Sequence, residues 1–324
     1  MSSPPVVQSE TALPIRKAAS HSGMYGLMLL ATLSWGINPV AGKEALTGFG
    51  PAALAQLRLI GAALAYLAIF LAWSKRPRMR LRPRDWLFLA VVAALGVTFN
   101  QFFFVLGLSR SSVVHSGLIF ATGPVMVLVI SCLLRLESLT LAKVVGMLIS
   151  FGGVAFLTMS MASRSNASHW HGDLLFLAGT ATFSGYTIIV KEIADRFDAL
   201  TLNTLTFGLG ALILLPFGAP AVWGMRWAAL SLPAWLGLAC MIVFGSLLPY
   251  LIYAHALSEL TAARVSAFGY IQPLITAAFG AWWLAEKLTL RSMLCGLAIL
   301  LGVYLTERAR ENGQSNGGAG NATP

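Results

Sequence analysis

The chain of 324 residues is 57% hydrophobic and only 10% charged, and its mean hydropathy is +0.76. A soluble domain carries about 25% charged residues, so this composition excludes a water-soluble globule and predicts an all-α protein embedded in a lipid bilayer. The formal net charge of +10 does not predict nucleic acid binding, because the basic residues stand in short stretches between apolar segments.

Ten apolar segments follow one another along the chain, each close to the roughly 20 residues that span a bilayer as a helix. The predicted helices 1 to 10 cover 24–43, 52–73, 86–108, 113–134, 141–160, 172–191, 201–220, 231–252, 262–283 and 290–307. A polar N-terminal tail over 1–22 precedes these helices, and a Gly- and Asn-rich tail over 309–324 follows them. We expect the second tail to be disordered.

The loops indicate an orientation through their lysine and arginine residues, which concentrate on the cytoplasmic side of membrane proteins. With the N-terminus inside, fifteen Lys and Arg fall in cytoplasmic segments and six fall outside. The largest group, in the loop 75–84, would then face anionic lipid of the inner leaflet. Both termini are therefore predicted to be cytoplasmic.

The two halves of the chain match one another at a shift of 148 or 149 positions. The Lys-Glu pair at 43–44 falls on the pair at 191–192. Other matches are Pro124 on Pro273, Glu137 on Glu286 and Gly153 on Gly302. Each half holds five predicted helices, an odd number, so the second half enters the membrane upside down. We therefore predict two inverted-topology repeats, over 23–160 and 171–308, an architecture typical of carriers that alternate access to a midplane site.

Three features in this order resemble the EamA-type members of the drug/metabolite transporter superfamily. They are the motif WGINPV at 35–40, Arg58 in predicted helix 2, and the E-x-L-T segments at 137–140 and 286–289. The resemblance covers roughly residues 24–307 and departs at Leu136 and Ala285, where the family usually has Gly. It implies a ten-helix carrier of the inner (plasma) membrane that exports small metabolites, often amino acids or related amphipathic compounds. A nucleotide-sugar-type carrier of the same superfamily stays an alternative.

Polar residues inside apolar helices are the candidates for substrate binding. Asn38 precedes Pro39, which removes one backbone hydrogen bond within predicted helix 1, so Asn38 either binds substrate or satisfies the interrupted helix. Arg58 lies about 10 Å inside helix 2, at 1.5 Å per residue. A charge at that depth by default faces a cavity or a partner. We expect Arg58 to contact an anionic group, to form a gating ion pair with Glu44, or to brace the turn between helices 1 and 2.

Polar and aromatic side chains at helical spacing are typical of a pocket for an amphipathic solute. The remaining candidates for substrate binding are Asn100, Gln101, Tyr186, Tyr250, Tyr253 and Gln272. Pro124 and Pro273, at matching places in helices 4 and 9, predict symmetric kinks and join Pro39 and Glu44 as candidates for hinges or gates. Trp35 is interpreted as a packing or interface residue.

The sequence carries no signature of a catalytic, metal or cofactor site. HExxH, GxSxG and phosphate-loop patterns are absent, so an intramembrane enzyme is the weaker alternative. Cys132, Cys240 and Cys295 lie inside apolar runs without metal-ligand spacing. His115 and His255 are interpreted as structural, and no Asp or Glu stands at a helix centre, so proton coupling stays open. The expected partners are a small-molecule solute and lipid, with the protein as a monomer or a homodimer.

Overall fold

A computed structural model describes residues 21–72, 82–135, 140–162, 169–193, 196–260, 265, 268–286 and 288–319. All regular structure within these ranges is helical. Glu137, together with Leu136 and the N-terminal residues 1–20, lies outside the described residues. The fold class predicted from composition, an all-helical membrane protein, is confirmed for the part of the chain that is described.

The helices are labelled in chain order. They are α1 (His21–Leu46), α2 (Pro51–Ala72), α3 (Pro83–Leu108), α4 (Val113–Phe120 and Gly123–Leu133), α5 (Leu141–Ala162), α6 (Trp170–Ile193), α7 (Ala199–Trp223), α8 (Leu232–Glu259), α9 (Gln272–Trp283) and α10 (Leu290–Ala319). The last of these continues as a helix over 309–319, where the sequence predicts a disordered tail. The Glu-Arg-Ala-Arg stretch at 307–310 consists of good helix formers and favours this continuation.

Six helices in the described ranges are long and apolar enough to cross a membrane, namely α1 from Gly23 onward, α2, α3, α6, α7 and α8. Helix α4 makes a seventh if its two segments, which are bent by 41°, form one span. Helices α5 and α10 carry shorter apolar stretches, Leu141–Phe156 and Leu290–Leu305. Since α9 has 12 residues in the described part, the count of ten spans stays a prediction.

The packing of the helices follows the duplication of the sequence. Helix α1 packs on α8 and α9, and its counterpart α6 packs on α3 and α4. Helix α2 packs on its counterpart α7, and α5 packs on its counterpart α10. Exchanging the two halves of the chain therefore maps the contacts of α1 onto those of α6, and maps the contacts of α2 with α7 and of α5 with α10 onto themselves. This is the pattern expected when two equivalent five-helix repeats pack around a pseudo-two-fold axis.

A π-helical turn interrupts the α-helical hydrogen bonding once in α3 and once in α8. The turns lie at Ala94–Phe99 and Val243–Leu247, which are equivalent at a shift of 149. Such turns are rare, are frequent at functional sites, and leave backbone carbonyls for other donors. Both repeats thus present free carbonyl groups at equivalent positions.

The duplicated lysines make equivalent contacts at the ends of these two helices. The Nζ atom of Lys43 donates to the carbonyl of Ser111, just beyond the end of α3, at 2.6 Å. The Nζ atom of Lys191 donates to the carbonyls of Leu257 and Leu260, at the end of α8, at 2.8 and 3.1 Å. A cation at a helix C-terminus interacts favourably with the free carbonyls and the helix dipole. The duplicated lysines therefore have a structural role.

The symmetric kinks predicted at Pro124 and Pro273 correspond to breaks just before each proline. In α4 the break separates Phe120 from Gly123, and α9 begins at Gln272 after a short 3-10 turn at Phe268–Tyr270. Each proline therefore occupies the first turn of a new helical segment, where its missing N–H costs no hydrogen bond. Helix α1, in contrast, continues through Pro39.

Helices α5 and α10 approach so closely that only glycine fits at Gly302. A Cβ atom there would clash with the backbone nitrogen of Ser150 and lie 2.5 Å from the carbonyl oxygen of Gly146. We expect Gly302→Ala to lower the stability of the protein by about 1–3 kcal/mol or more, as overpacking does. Thermal melting in detergent measures this, with Gly152→Ala, whose Cβ would meet nothing within 4 Å, as the matched control. Equal melting temperatures for the two variants would show that α5 and α10 do not pack in this way.

Candidate functional site

A cavity lies between the repeats, enclosed by α1, α3, α4, α6, α8 and α9, with one side chain from α2. Its volume is about 130 Å³. Since a buried water needs about 10–15 Å³, the cavity has room for about ten waters or for a small metabolite. The polar residues of the lining are Thr32, Asn38, Arg58, Asn100, Gln101, Thr180, Ser184, Thr187 and Gln272. The aromatic residues are Trp35, Phe104, Phe120, Phe183, Tyr250, Tyr253 and Phe268.

Equivalent positions of the two repeats contribute to this lining. The pairs related by the shift of 148 or 149 are Thr32 with Thr180, Trp35 with Phe183, Gln101 with Tyr250, and Phe104 with Tyr253. The cavity is therefore built around the pseudo-symmetry axis. That is the location at which inverted-repeat carriers hold their substrate.

Arg58 is the one residue of α2 in the lining, and its side chain is only 3% exposed. Its Nε donates to the hydroxyl of Ser246 at 2.9 Å, and its Nη2 donates to the carbonyl of Gly245 at 2.8 Å. Its guanidinium carbon lies 5.4 Å from the centre of the Phe104 ring, a cation–π distance. The remaining nitrogen, Nη1, is buried without a hydrogen-bond partner. The guanidinium thus binds the π-helical turn of α8 and retains spare hydrogen-bonding capacity.

The carbonyls freed by the π-helical turn of α8 receive donors from α1 and α2. Besides Arg58, the indole nitrogen of Trp35 donates to the Gly245 carbonyl at 3.3 Å. The hydroxyl of Tyr66 donates to the carbonyl of Leu247 at 2.6 Å. In the other repeat, the hydroxyl of Tyr250 donates to the carbonyl of Gly96, inside the π-helical turn of α3, at 2.8 Å. Both turns therefore supply acceptors to side chains that line or support the cavity.

Gly245 allows Asn38 and Arg58 to approach the backbone of α8. A Cβ atom at this position would clash with Oδ1 of Asn38 and lie 2.7 Å from Nη2 of Arg58. We expect Gly245→Ala to displace both side chains and reduce solute transport at least tenfold, because two polar groups of the lining move together. Initial transport rates at matched protein levels measure this, with Gly208→Ala in α7, where nothing lies within 4 Å of the new Cβ, as the control. Transport at the control rate would contradict the assigned contact.

Hydrogen bonds also hold the polar side chains of α3, α6 and α8. Asn100 donates from Nδ2 to the carbonyl of Gly179 at 3.0 Å, and its Oδ1 lies 3.1 Å from the hydroxyl of Tyr250. The hydroxyls of Tyr253 and Thr187 lie 3.0 Å apart. These bonds leave the side chains in fixed positions, so the cavity is preformed in this conformation.

Seven of the eight substrate-binding candidates predicted from the sequence line the cavity. They are Asn38, Arg58, Asn100, Gln101, Tyr250, Tyr253 and Gln272. Tyr186 does not, because its ring packs against Gly96 in the π-helical turn of α3, and its hydroxyl is buried without a partner. Tyr186 is the counterpart of Asn38 at a shift of 148, so both residues occupy the space beside a π-helical turn. The large ring of Tyr186 fills that space.

Of the hinge and gate candidates, only Pro124 lines the cavity. In this conformation Glu44 and Arg58 do not form the ion pair that was one of the roles expected for Arg58. The carboxylate of Glu44 accepts from the indole nitrogen of Trp283 at 2.9 Å, whereas Arg58 binds α8. The reason is that Glu44 lies near the end of α1, where α1 packs on α9.

The sequence interpretation missed Trp35 as a lining residue. Its ring centre lies within 5.3–5.8 Å of the ring centres of Phe183, Tyr250 and Tyr253. The signal was the helical spacing of Thr32, Trp35 and Asn38, which places all three on one face of α1. Trp35 therefore belongs to the wall of the cavity, not to the membrane interface.

A second group, whose contacts the sequence did not predict, lies at the end of the bundle where α1 ends and α6 begins. The predicted orientation makes this the outer end. Asp173 and His115 are 1% and 2% exposed, and Oδ2 of Asp173 lies 2.9 Å from Nδ1 of His115. The hydroxyl of Ser111 donates to Oδ1 of Asp173 at 2.5 Å. Glu286 accepts from the backbone N–H groups of Val113 and Val114, at 2.9 and 3.0 Å.

We call Ser111, His115, Asp173 and Glu286 the outer cluster. It joins the segment after α3 to the starts of α4 and α6 and to the segment before α10. A carboxylate at a helix N-terminus is stabilised by the free N–H groups and the helix dipole. Glu286 does this for α4 rather than for its own following helix. The outer cluster therefore joins these helix ends with charged and polar contacts.

Comparison with known proteins agrees with this geometry. The sequence profile of the EamA-like transporter family matches twice, over residues 22–159 and 170–308. An uncharacterized transporter of Archaeoglobus fulgidus is 27% identical over 288 residues, which is 88% of this chain and 98% of the relative. The uncharacterized inner membrane transporter YhbE of Escherichia coli is 28% identical, over 78% of each chain. A WAT1-related chloroplastic protein of Arabidopsis thaliana is 25% identical, over 84% of this chain and 66% of the relative.

A solved crystal structure has the same fold. It superposes with a TM-score of 0.62 at 16% identity, over 89% of this chain and 98% of the other. The two profile matches together cover most of the sequence, and each coincides with one five-helix repeat predicted from the residues. The chain therefore belongs to the EamA-like transporter family.

Proposed function

We propose that this protein is a secondary transporter that exports small amphipathic metabolites, such as amino acids or related compounds, by alternating access between its two repeats. The observation that carries the proposal is the cavity built from equivalent positions of both repeats, such as Thr32 with Thr180 and Trp35 with Phe183. A site shared by two inverted repeats can face either side of the membrane when one repeat rocks against the other.

The position of the cavity along the helices supports loading from one side. On α1 its last lining residue is Asn38, eight residues or about 12 Å before the helix ends at Leu46. On α6 its first lining residue is Thr180, ten residues or about 15 Å after the start at Trp170. The outer cluster and the bond between Glu44 and Trp283 occupy the outer end.

In the predicted orientation, with both termini cytoplasmic in the inner membrane, this conformation would load solute from the cytoplasm. The second conformation would open the outer end and close the cytoplasmic one. The breaks before Pro124 and Pro273 are the proposed hinges, because a helix bends most readily where its hydrogen bonding is interrupted. Transport from the cytoplasm outward is the direction that an exporter requires.

The experiment compares the solutes in the medium of cells that produce the wild-type protein with those of cells that carry an empty vector. We expect one class of small solute to accumulate outside only with the wild type. Gly245→Ala at matched protein level is the functional control, and it should return that accumulation to the level of the empty vector. If no solute differs between wild type and empty vector, export is not the function.

A further inference from the structure

We propose that the transported solute carries a carboxylate group, and that Arg58 and Gln101 bind it in the cavity. This inference rests on the proposed export function and adds the chemical class of the substrate. It starts from the charge of the cavity. Among the described residues of the lining, Arg58 is the only one with a formal charge, and none is Asp or Glu.

The charge of Arg58 is not neutralised by the protein. No ion pair of Arg58 occurs among the described residues, and its side chain is 3% exposed. A charge inside the membrane is costly unless it meets a partner of opposite sign or water. An anionic solute would supply that partner each time it enters the cavity, whereas a cationic solute would add a second uncompensated charge.

The hydrogen bonds around Arg58 leave donors, not acceptors, for this solute. Because the hydroxyl of Ser246 accepts from Nε of Arg58 at 2.9 Å, its own hydrogen goes to Oε1 of Gln101, at 3.2 Å. This fixes the orientation of the Gln101 amide and leaves its Nε2 buried without a partner, like Nη1 of Arg58. Two spare donors at the ends of one hydrogen-bonded chain suit the two oxygens of a carboxylate.

The aromatic part of the lining fits an apolar or aromatic body attached to that carboxylate. Trp35, Phe183, Tyr250 and Tyr253 contact one another edge to face or tilted, with ring centres 5.3–5.8 Å apart. A cavity of about 130 Å³ has room for a small molecule of this kind. The class is therefore a small monocarboxylate with an apolar or aromatic body.

The test compares the solutes exported by cells producing the wild type, Arg58→Gln and Gln101→Glu, sorted by whether each solute carries a carboxylate. Arg110→Gln, at an exposed position outside the cavity, is the matched control. We expect the exported solutes to be carboxylates, their export to fall at least tenfold in Arg58→Gln and Gln101→Glu, and Arg110→Gln to behave as the wild type. Charge-assisted hydrogen bonds of this kind are lost in both variants.

Gln101→Glu distinguishes an anion site from a structural brace. It places a carboxylate beside Arg58 that competes with the solute and neutralises the guanidinium, so we expect export to fall while the melting temperature is kept or raised. Export of solutes without an acidic group would overturn the carboxylate assignment and leave the export function standing. Undiminished carboxylate export by both variants would also overturn it. The absence of any exported solute would instead refute the export function, and the assignment with it.

Discussion

Replacing Glu286 with alanine is expected to open the outer end of the protein. The carboxylate accepts two backbone N–H groups at the start of α4, from Val113 and Val114. Hydrogen bonds to a charged group contribute about 1.5–3 kcal/mol each, so the closed outer end would lose about 3–6 kcal/mol. A change of about 5.5 kcal/mol is enough to invert a two-state population from 99:1 to 1:99.

The measurement is the rate at which a membrane-impermeant thiol reagent, added outside, labels a cysteine introduced at Ser184 in the cavity. The background lacks Cys132, Cys240 and Cys295. We expect slow labelling with Glu286 present, fast labelling in Glu286→Ala, and an intermediate rate in Glu286→Gln, which keeps one acceptor. Glu259→Gln, at the opposite end of the bundle, is the control. Equal labelling rates in all variants would show that Glu286 does not hold the outer end closed.

Removing the carboxylate of Asp173 is expected to lower the stability of the folded protein. Asp173→Ala leaves the His115 ring and the Ser111 hydroxyl buried without the acceptor that they share. A buried donor left without its acceptor costs about 1–3 kcal/mol, so the two together cost about 2–6 kcal/mol. We expect a melting temperature several degrees lower in detergent and reduced export at matched protein levels.

Asp173→Asn separates the charge from the hydrogen bonds. The amide keeps one oxygen for the Ser111 hydroxyl or the His115 ring, so this variant should lie between the wild type and Asp173→Ala. If Asp173→Ala melts at the wild-type temperature, the buried pair of His115 and Asp173 is not formed in the membrane protein. If Asp173→Asn is as unstable as the alanine variant, the negative charge is the stabilising part.

The sequence identified residues of the cavity lining where a polar residue interrupts an apolar helix. Asn38, Arg58, Asn100 and Gln101 were found in this way, because a polar group at membrane depth needs a cavity or a partner. The sequence could not show whether each of these polar groups faces the cavity or is bound by another part of the protein. Arg58 binds two groups of α8, 187 and 188 positions away, and no local pattern in the sequence indicates that contact.

The π-helical turns are the part of the fold that the residues did not reveal. Neither Ala94–Phe99 nor Val243–Leu247 differs in composition from an ordinary apolar helix. The turns decide which side chains reach the cavity, because they place Gly96 against Tyr186 and Gly245 against Asn38. For this reason Tyr186, which polarity and spacing made a reasonable candidate, packs against Gly96 and does not line the cavity.

The burial of Asp173 in the outer cluster was missed for a different reason. Asp173 stands in the first turn of α6, where an acidic residue is normally a solvated helix start. It is buried because the start of α6 packs tightly on the end of α3, where a Cβ atom at Gly172 would lie 2.6 Å from Cβ of Ser111. Such a contact between helices distant in sequence depends on the tertiary fold alone.

The most direct test of alternating access is a reversible cross-link across the outer end. Glu44 and Trp283 belong to different repeats and are joined by a 2.9 Å hydrogen bond. Both are replaced by cysteine in a background without Cys132, Cys240 and Cys295, and a short reducible thiol-specific cross-linker then joins them. Solute flux is measured in vesicles before cross-linking, after it, and after reduction. We expect solute flux to stop when the cross-link forms and to return when it is reduced. Unchanged flux through the cross-linked protein would contradict transport by alternating access.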